Sequence, residues 1–532
     1  VTHGTSDPAL VDQTVPAPPP ARPRFGRTFW TLNTIEMWER LAYYNLRVMA
    51  PIYIMQADNP GGLHLTAMNK GVIYLWWSIF QSVLPVLTGG LADRFGFKRT
   101  LVFAVSLTMA GYLMIAFLRD LPFVSNYTAF FVAILVLATG TAFFKPSLQG
   151  SLAGTLTREN SSVGWGLFYW VVNVGAFIGH YLPAVLLGLS VFLPGFLHAE
   201  PHSKEAWRNL FLASAFFTSF NLLLLLTLKD VPSGASKTEP LGRVLGRTIT
   251  NVFEPRLLSW ILIMSGFWLM MYQLWDLQPN FITDWVDSRG LVEHLRWLPD
   301  KVFLALTERQ PRGVMIPQQV ILSLNSLMII VGVVGVAWLT RRMRTLEAMF
   351  IGMILATVGL LVAGLTHSVY WVLLGIVFFS LGEMTTGPKK SEYLALIAPP
   401  GKRGLYLGYV NIPAGLGSGF GGLMAGYLYK NYGEKAVLAL KYLATQTPLG
   451  EGKQWDGRAA SLEGLLGVSR TEAMNKLVEV TGLDHAQATQ LLWETYSPQW
   501  IVWIPFACVG LLSAMALWIF GQKAKKWADM NA

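Results

Sequence analysis

Twelve apolar runs of about 20 residues succeed one another along the 532-residue chain, and a run of that length matches the thickness of a bilayer. They cover 27–55, 68–91, 100–118, 127–148, 163–193 and 207–228, then 256–281, 317–339, 346–365, 370–397, 405–429 and 499–520. Lipid offers no partner to an open backbone N–H or C=O, so each run is expected to cross as a helix. Composition agrees. With 53% hydrophobic and 14% charged residues and a mean hydropathy of +0.43, the chain has too little polar surface for a soluble enzyme of this size. Its 20 Trp and 18 Tyr suit interfacial belts, and a single cysteine, Cys508, excludes an intramolecular disulfide.

The runs fall into two sets of six. Two pseudo-symmetric helical bundles, 27–228 and 256–520, are expected around a polar linker, 229–255, that contains Pro232-Ser233-Gly234. An N-terminal segment, 1–26, rich in Pro and Ala, is expected to be disordered, and a short segment, 521–532, closes the chain. The basic clusters Arg22/Arg24/Arg27, Arg94/Lys98/Arg99, Lys229/Arg243/Arg247/Arg256, Arg341/Arg342/Arg344, Lys402/Arg403 and Lys523/Lys525/Lys526 all fall on one side of such a bundle. Positive charge stays inside, so both termini are expected in the cytoplasm of a cell membrane, the inner membrane in a Gram-negative bacterium. The same clusters account for the net charge of +10 without nucleic acid as a partner. Polar insertions at 284–316 and 430–498 then face outward, the second with amphipathic helices expected at 470–480 and 484–496.

The stretch 36–47 puts four charged residues into the first run. At about 100° per residue, Glu36, Arg40, Tyr43 and Arg47 share a stripe roughly 60° wide, with Glu39 and Tyr44 beside it. A charge near the bilayer centre costs at least about 2.5 kcal/mol, so such groups face a bundle interior or a wet cavity and mark a pathway. Lys145 and Glu383 have no partner in their own runs and must look across the bundle. Arg40, Arg47 and Lys145 balance Glu36, Glu39 and Glu383, a set that suits a zwitterion. The competing reading is that some pairs, Glu39 with Arg40 above all, are salt bridges that only hold helices together. No Walker motif, nucleophile elbow or G-x-G-x-x-G follows a strand, and no histidine has metal-ligand spacing. Neither an enzyme nor a cofactor is expected, and energy comes from an ion gradient.

Residues 90–99, G-L-A-D-R-F-G-F-K-R, match the signature that major facilitator superfamily proteins carry between their second and third helices. Glu36-x-x-Glu39-Arg40-x-x-Tyr43-Tyr44 resembles the E-x-x-E-R-F-x-Y-Y motif of proton-dependent oligopeptide transporters in that superfamily. Phe144-Lys145-Pro146, Asn173-Val174-Gly175 and Gly382-Glu383-Met384 resemble that family's F-K-P, N-x-G and G-E-M elements, in the same order. The resemblance implies the major facilitator fold and a monomeric symporter that imports di- or tripeptides with protons by alternating access. It implies that Arg47 and Lys145 bind the substrate carboxylate, Glu383 its amino group, and Tyr43, Tyr44 and Asn173 its polar backbone. Trp268, Tyr272, Gln273 and Lys390 complete the cargo site. Glu36, Glu39, Arg40 and Glu383 form a proton-responsive set whose protonation loosens pairs across the bundle, and Asp93, Arg94, Lys98 and Arg99 form a conformational latch.

The chain also departs from the family. Tyr272 stands where a carboxylate usually precedes Gln273; Asp276, one turn on, either substitutes or sits solvated near the outer mouth. In the tenth run Pro388 is expected to open the backbone, with Lys390 on the face of Glu383 about 10 Å along the axis, to pair with it, bind an anion or snorkel. Asn45 replaces a glycine, and the family's second-helix tyrosine has no clear counterpart, although Tyr74 is near. A different small organic anion, modified amino acid or drug-like cargo is therefore a second reading. A sensor or scaffold acting through 430–498 is a remote third.

Overall fold

The first helix, α1 (Arg27–Met55), sets the architecture, because it is enclosed along most of its length and four other helices of its half pack against it. In the computed structural model, residues 25–157, 160–189, 195–231, 246, 250, 252–397 and 409–524 are described. Residues 1–24, most of the linker, the Lys402/Arg403 cluster and the last eight residues lie outside that set, as does the order of the N-terminal segment.

The first half continues through α2 (Ala67–Ser82), α3 (Pro85–Phe95), α4 (Phe97–Phe117), α5 (Asn126–Ala153), α6 (Ser161–Pro183) and α7 (Lys204–Thr227). Its second crossing is broken between α2 and α3 by Pro85, which opens α3 and has no N–H to continue the ladder. The second half opens with a crossing in three pieces: α8 (Pro255–Met271), α9 (Gln273–Asp276) and α10 (Gln278–Trp285). Pro279 near the start of α10 explains the last break. Then come α11 (Arg289–Leu295), α12 (Asp300–Leu306), a hairpin of β1 (Glu308–Gln310) with β2 (Gly313–Met315), α13 (Gln318–Thr340), α14 (Thr345–Gly364), α15 (Val369–Ile397) and α16 (Ile412–Leu428). The chain ends through α17 (Lys435–Gln446), α18 (Leu462–Leu466), α19 (Ala473–Thr481), α20 (His485–Tyr496) and α21 (Pro498–Ala524).

Among the described residues ten helical stretches are long and apolar enough to cross a membrane. Adding α1, which carries the charged stripe, and α16, only 17 residues but extended by a 3-10 turn before it and a π turn after it, makes the twelve expected. Contrary to expectation, Pro388 lies inside an unbroken α15. The large apolar side chains left exposed, Leu223 and Leu226 on α7 and Val331 and Val334 on α13 among them, point outward where lipid would cover them. Trp30, Trp338 and Trp518 mark the end that carries the described termini; Trp371 and Trp500 mark the far end.

The two halves meet closely where α2 lies on α16 and α6 on α13. Glycines permit the first contact. A Cβ at Gly426 would sit 2.7 Å from the Ala67 carbonyl oxygen, and one at Gly421, on the other face, 2.8 Å from that of Leu269 in α8. So α16 is wedged between the two halves, as its small-residue spacing suggests.

At the far end the 430–498 insertion folds into a cap, with α19 and α20 close to the ranges read from the sequence and α17 not anticipated there. Arg470 donates to the carbonyls of His64 (2.6 Å) and Leu65 (2.9 Å), in the connection between α1 and α2, and pairs with Glu434 at 2.9 Å. The cap thus ties the second half to the first. Burial pushes the Glu434 carboxyl from 4.5 up to about 7, against the pull of Arg470. A group with a raised folded-state pKa stabilises the fold fully below its unfolded value and loses that contribution as pH rises through the folded one. Thermal stability should therefore fall by a few degrees from pH 5 to pH 8, and Glu434→Gln should flatten that slope in a pH series of melting curves.

Candidate functional site

The stripe on α1 lies between the halves. Glu36 and Arg40, one turn apart, pair at 3.4 Å, Arg40 also bonds Glu39, and Lys145 Nζ from α5 donates to Glu36 Oε1 at 2.6 Å. Glu36, Glu39 and Arg40 are all buried, whereas the Lys145 side chain keeps 23% of its surface. Among the described residues, the ion-pair partners within this cluster all belong to the first half. Lys145 thus reaches across its own bundle to α1, as expected of a residue without a partner in its own run, whereas Glu383, expected to pair across the cavity, bonds Asn325 of its own half. Nor do Glu36 and Glu39 hold pairs whose loosening would separate the halves.

An ion pair that does span them on the α1 stripe joins Arg47 to Asp276, both buried. Arg47 lies over two rings of α2, Tyr74 at 4.5 Å and Trp77 at 4.7 Å. Asp276 is enclosed rather than solvated at a mouth, because the chain is broken on both sides of α9, at Tyr272 and at Leu277, and this short piece turns inward. Its carboxylate lies one helical turn beyond Tyr272, inside the protein. The break also frees a carbonyl: Lys70 Nζ, from α2, donates to the Asp276 main-chain oxygen (2.7 Å) and to Asn280 Oδ1 (2.8 Å). Toward the far end Asn280 Nδ2 donates to the Pro51 carbonyl (3.0 Å), and Gln56 Nε2 to Asp284 Oδ1 (2.8 Å), whose other oxygen accepts from Tyr429. A ladder of polar contacts thus shuts the far end.

On the second half, Glu383 Oε2 accepts from Asn325 Nδ2 at 2.9 Å, and the same amide donates to Ser380. Lys390 is not hydrogen-bonded to it; its Nζ stands 4.4 Å over the Trp268 ring, which packs on Tyr272. Gln273 turns back to the Leu269 carbonyl (2.7 Å). Tyr43 shares a hydrogen bond with Gln81 and has Arg40 over its ring, while Tyr44 stacks on His180 and meets Trp275 from the other half. Asn173 bonds its own helix at Tyr169 O, and the glycine of its motif has a packing role: a Cβ at Gly175 would meet the Met37 carbonyl at 2.6 Å. So Lys145, Tyr44, Trp268, Tyr272, Glu383 and Lys390, all partly exposed, outline the space between the halves.

The four latch candidates lie apart from this site, at the end carrying the termini. Gly96, at φ +93°, makes the turn between α3 and α4, and Lys98 reaches the linker by donating to Leu228 O (2.8 Å) and, through its N–H, to Asp230 (3.3 Å). Arg94 and Arg99 are exposed, Asp93 half-buried. Sequence reasoning passed over Lys70, Gln81, Asn325, Asp284 and His180. Lys70 did carry a signal, a lysine inside an apolar run, but so near the start that snorkelling explained it equally well.

Twelve crossings in two halves, with buried charges on the seam between them, define a multi-pass membrane transporter. The chain matches the Major Facilitator Superfamily over residues 38–298 and 310–443, and it belongs to that superfamily. It is 23% identical over 356 residues to the multidrug resistance protein MdtH of Proteus mirabilis (strain HI4320), covering 66% of this chain and 75% of that one. Over 158 residues it is 27% identical to a di-/tripeptide transporter of Lactococcus lactis subsp. lactis (strain IL1403), 29% of this chain and 30% of the other. Among solved structures it resembles a POT family transporter in complex with a thioalcohol-conjugated peptide, with TM-score 0.62 and 14% identity over 94% of this chain and 97% of that one. The nucleoside transporter NupG gives TM-score 0.61 and 12% identity over 93% and 99%.

Removing one member of a buried ion pair strands the other in a low dielectric, which costs about 3–5 kcal/mol, whereas replacing both by apolar groups is often neutral. Arg47→Met and Asp276→Leu should each lower folded stability by that amount, and the double variant should recover most of the loss. Denaturation of the four proteins in detergent checks this; a double variant as unstable as the sum of the singles would show that the two side chains do not act as a pair.

Proposed function

We propose that the protein is a proton-coupled symporter that carries small zwitterions, di- or tripeptides first, across the cell membrane into the cytoplasm by alternating access. What supports this is the placement of opposite charges on opposite walls: Lys145 on the first half and Glu383 on the second, both partly exposed, at the spacing of motifs that resemble those of peptide transporters. A zwitterion's carboxylate is drawn to Lys145 and its amino group to Glu383. Lys145 is held by Glu36 until a proton on the Glu36/Glu39 carboxylates weakens that bond. Arg47 is released by a proton on Asp276, which neutralises the pair spanning the halves. The exposed Arg94, Arg99, Arg341 and Arg342 lie at the end carrying the termini, which supports a cytoplasmic placement of that end. The closed far end then faces outside, and the protein works as a monomer.

A second reading, the same machine with an anionic cargo, rests on Lys390 above Trp268: a second cation on the wall of Glu383 favours a ligand with more negative charge than a peptide. Proteoliposomes with an inward proton gradient and labelled alanyl-alanine distinguish the two. Peptide uptake should collapse when the gradient is dissipated, and Lys145→Ala or Glu383→Gln should each reduce it by about tenfold or more, the loss of one charge-assisted contact. Asp276→Asn should stop gradient-driven accumulation while leaving exchange of labelled for unlabelled peptide. Uptake indifferent to both Lys145→Ala and Glu383→Gln would remove the peptide assignment, and competition by organic anions but not by peptides would establish the second reading.

A further inference from the structure

Behind the far-end gate lies a cavity of about 280 Å³ that the transport site does not use. Its walls come from four separate parts of the chain: the connection between α1 and α2 with Asp58 and His64, the turn of the β1–β2 hairpin with Arg312, the start of α17 with Lys435, and the facing sides of α19 and α20 with Asn475 and His485. The two polar insertions therefore converge on one hollow. They bring two fixed cations to its lining, where Asp58 is the carboxylate, with Asp284 and Asp287 nearby outside that lining.

Lys435 is the buried member. Its side chain keeps 7% of its surface, and its ammonium stands 3.7 Å from Asp58 and 3.9 Å from Asp284, ion-pair distances longer than a hydrogen bond. Arg312 donates to the Thr283 carbonyl at 2.7 Å, which anchors the guanidinium at the cavity wall. His64 is fixed by a contact of 2.6 Å between Nε2 and the Asn59 carbonyl, on a backbone at φ +53°. Burial and the nearby Arg312 both favour a neutral Lys435, opposed by Asp58 and Asp284. An anion in the hollow would offset the crowding of those two cations.

We infer that this cavity is a binding site for a small oxyanion, a carboxylate or phosphate group held between Arg312 and Lys435. The occupant's negative end takes the Arg312 fork and the Lys435 ammonium, and its remaining polar atoms reach Asn475 and His485 at the rim. Because Lys435 also faces Asp284, which is bonded to Gln56 of the first half, an anion that draws the ammonium away weakens its hold on that cross-half contact. Occupancy of the hollow and closure of the far end are thus linked through one side chain. The site is independent of which cargo the central space carries.

The probe is inorganic phosphate, added to the full-length protein in detergent and read as thermal stabilisation against sodium chloride at matched ionic strength. Phosphate should raise the melting temperature saturably. Arg312→Gln should weaken the apparent affinity by about tenfold or more, the loss of one charge-assisted contact, and Asn475→Glu, an exposed position where a new carboxylate repels the anion, should weaken it in the same direction. Either variant suffices if the other does not fold. Lys145→Ala, which alters the central space, should leave the phosphate effect intact. No saturable stabilisation by phosphate, an effect unchanged in the folded cavity variant, or one lost in Lys145→Ala would overturn the assignment.

Discussion

The buried pair between Arg47 and Asp276 is the contact on which this architecture depends, because it joins the two bundles by charge deep inside the packed interior they share. Neither ion can be left alone there, so one half fixes the other. The surroundings follow from that constraint. Tyr74 and Trp77 offer their faces to the guanidinium, the seventh crossing breaks to turn its aspartate inward, and the glycines of α16 let α2 and α16 approach closely enough for the pair to form. Such a pair is strong when made, and neutralising either partner removes it.

The two ends of the molecule differ in how they are held. At the far end the contacts between halves are polar and numerous, reinforced by a cap that runs from Glu434 through Arg470 to the α1–α2 connection. The charged residues of the central space are instead distributed one wall at a time: Glu36, Glu39, Arg40 and Lys145 satisfy one another within the first half, and Glu383, Asn325 and Ser380 within the second. Each wall is electrostatically complete without its opposite, so the halves can part there without stranding a charge. A solute entering between them competes only with contacts inside a wall.

Much of this was legible in the chain itself. Run length gave the crossings, since a bilayer admits few alternatives, and helical periodicity placed Glu36, Arg40 and Arg47 on one face because that stripe depends on nothing outside α1. The short helices of the cap followed from their amphipathic spacing. What could not be read were consequences of breaks and of distance in sequence. Asp276 looked equally suited to the mouth or the interior, since its position depends on where α9 turns, and Lys70 gained a partner only because that turn exposes a carbonyl 206 residues away. Glu383 was expected to look across the bundle because a sequence does not show that α13 brings Asn325 beside it. Pro388 was expected to open a helix that stays closed, a case in which the surrounding α14 and α15 contacts override a local rule.

Lys70 and Arg47 stand near the same short helix but hold it by different chemistry. Arg47 grips a carboxylate, which a proton can discharge; Lys70 grips a main-chain oxygen and an amide, which no proton alters at physiological pH. Two bolts on one door with unlike keys behave as a conjunction. Loss of charge at Asp276 would leave the Lys70 contacts in place, so the seventh crossing stays tied to α2 whatever the state of the ion pair.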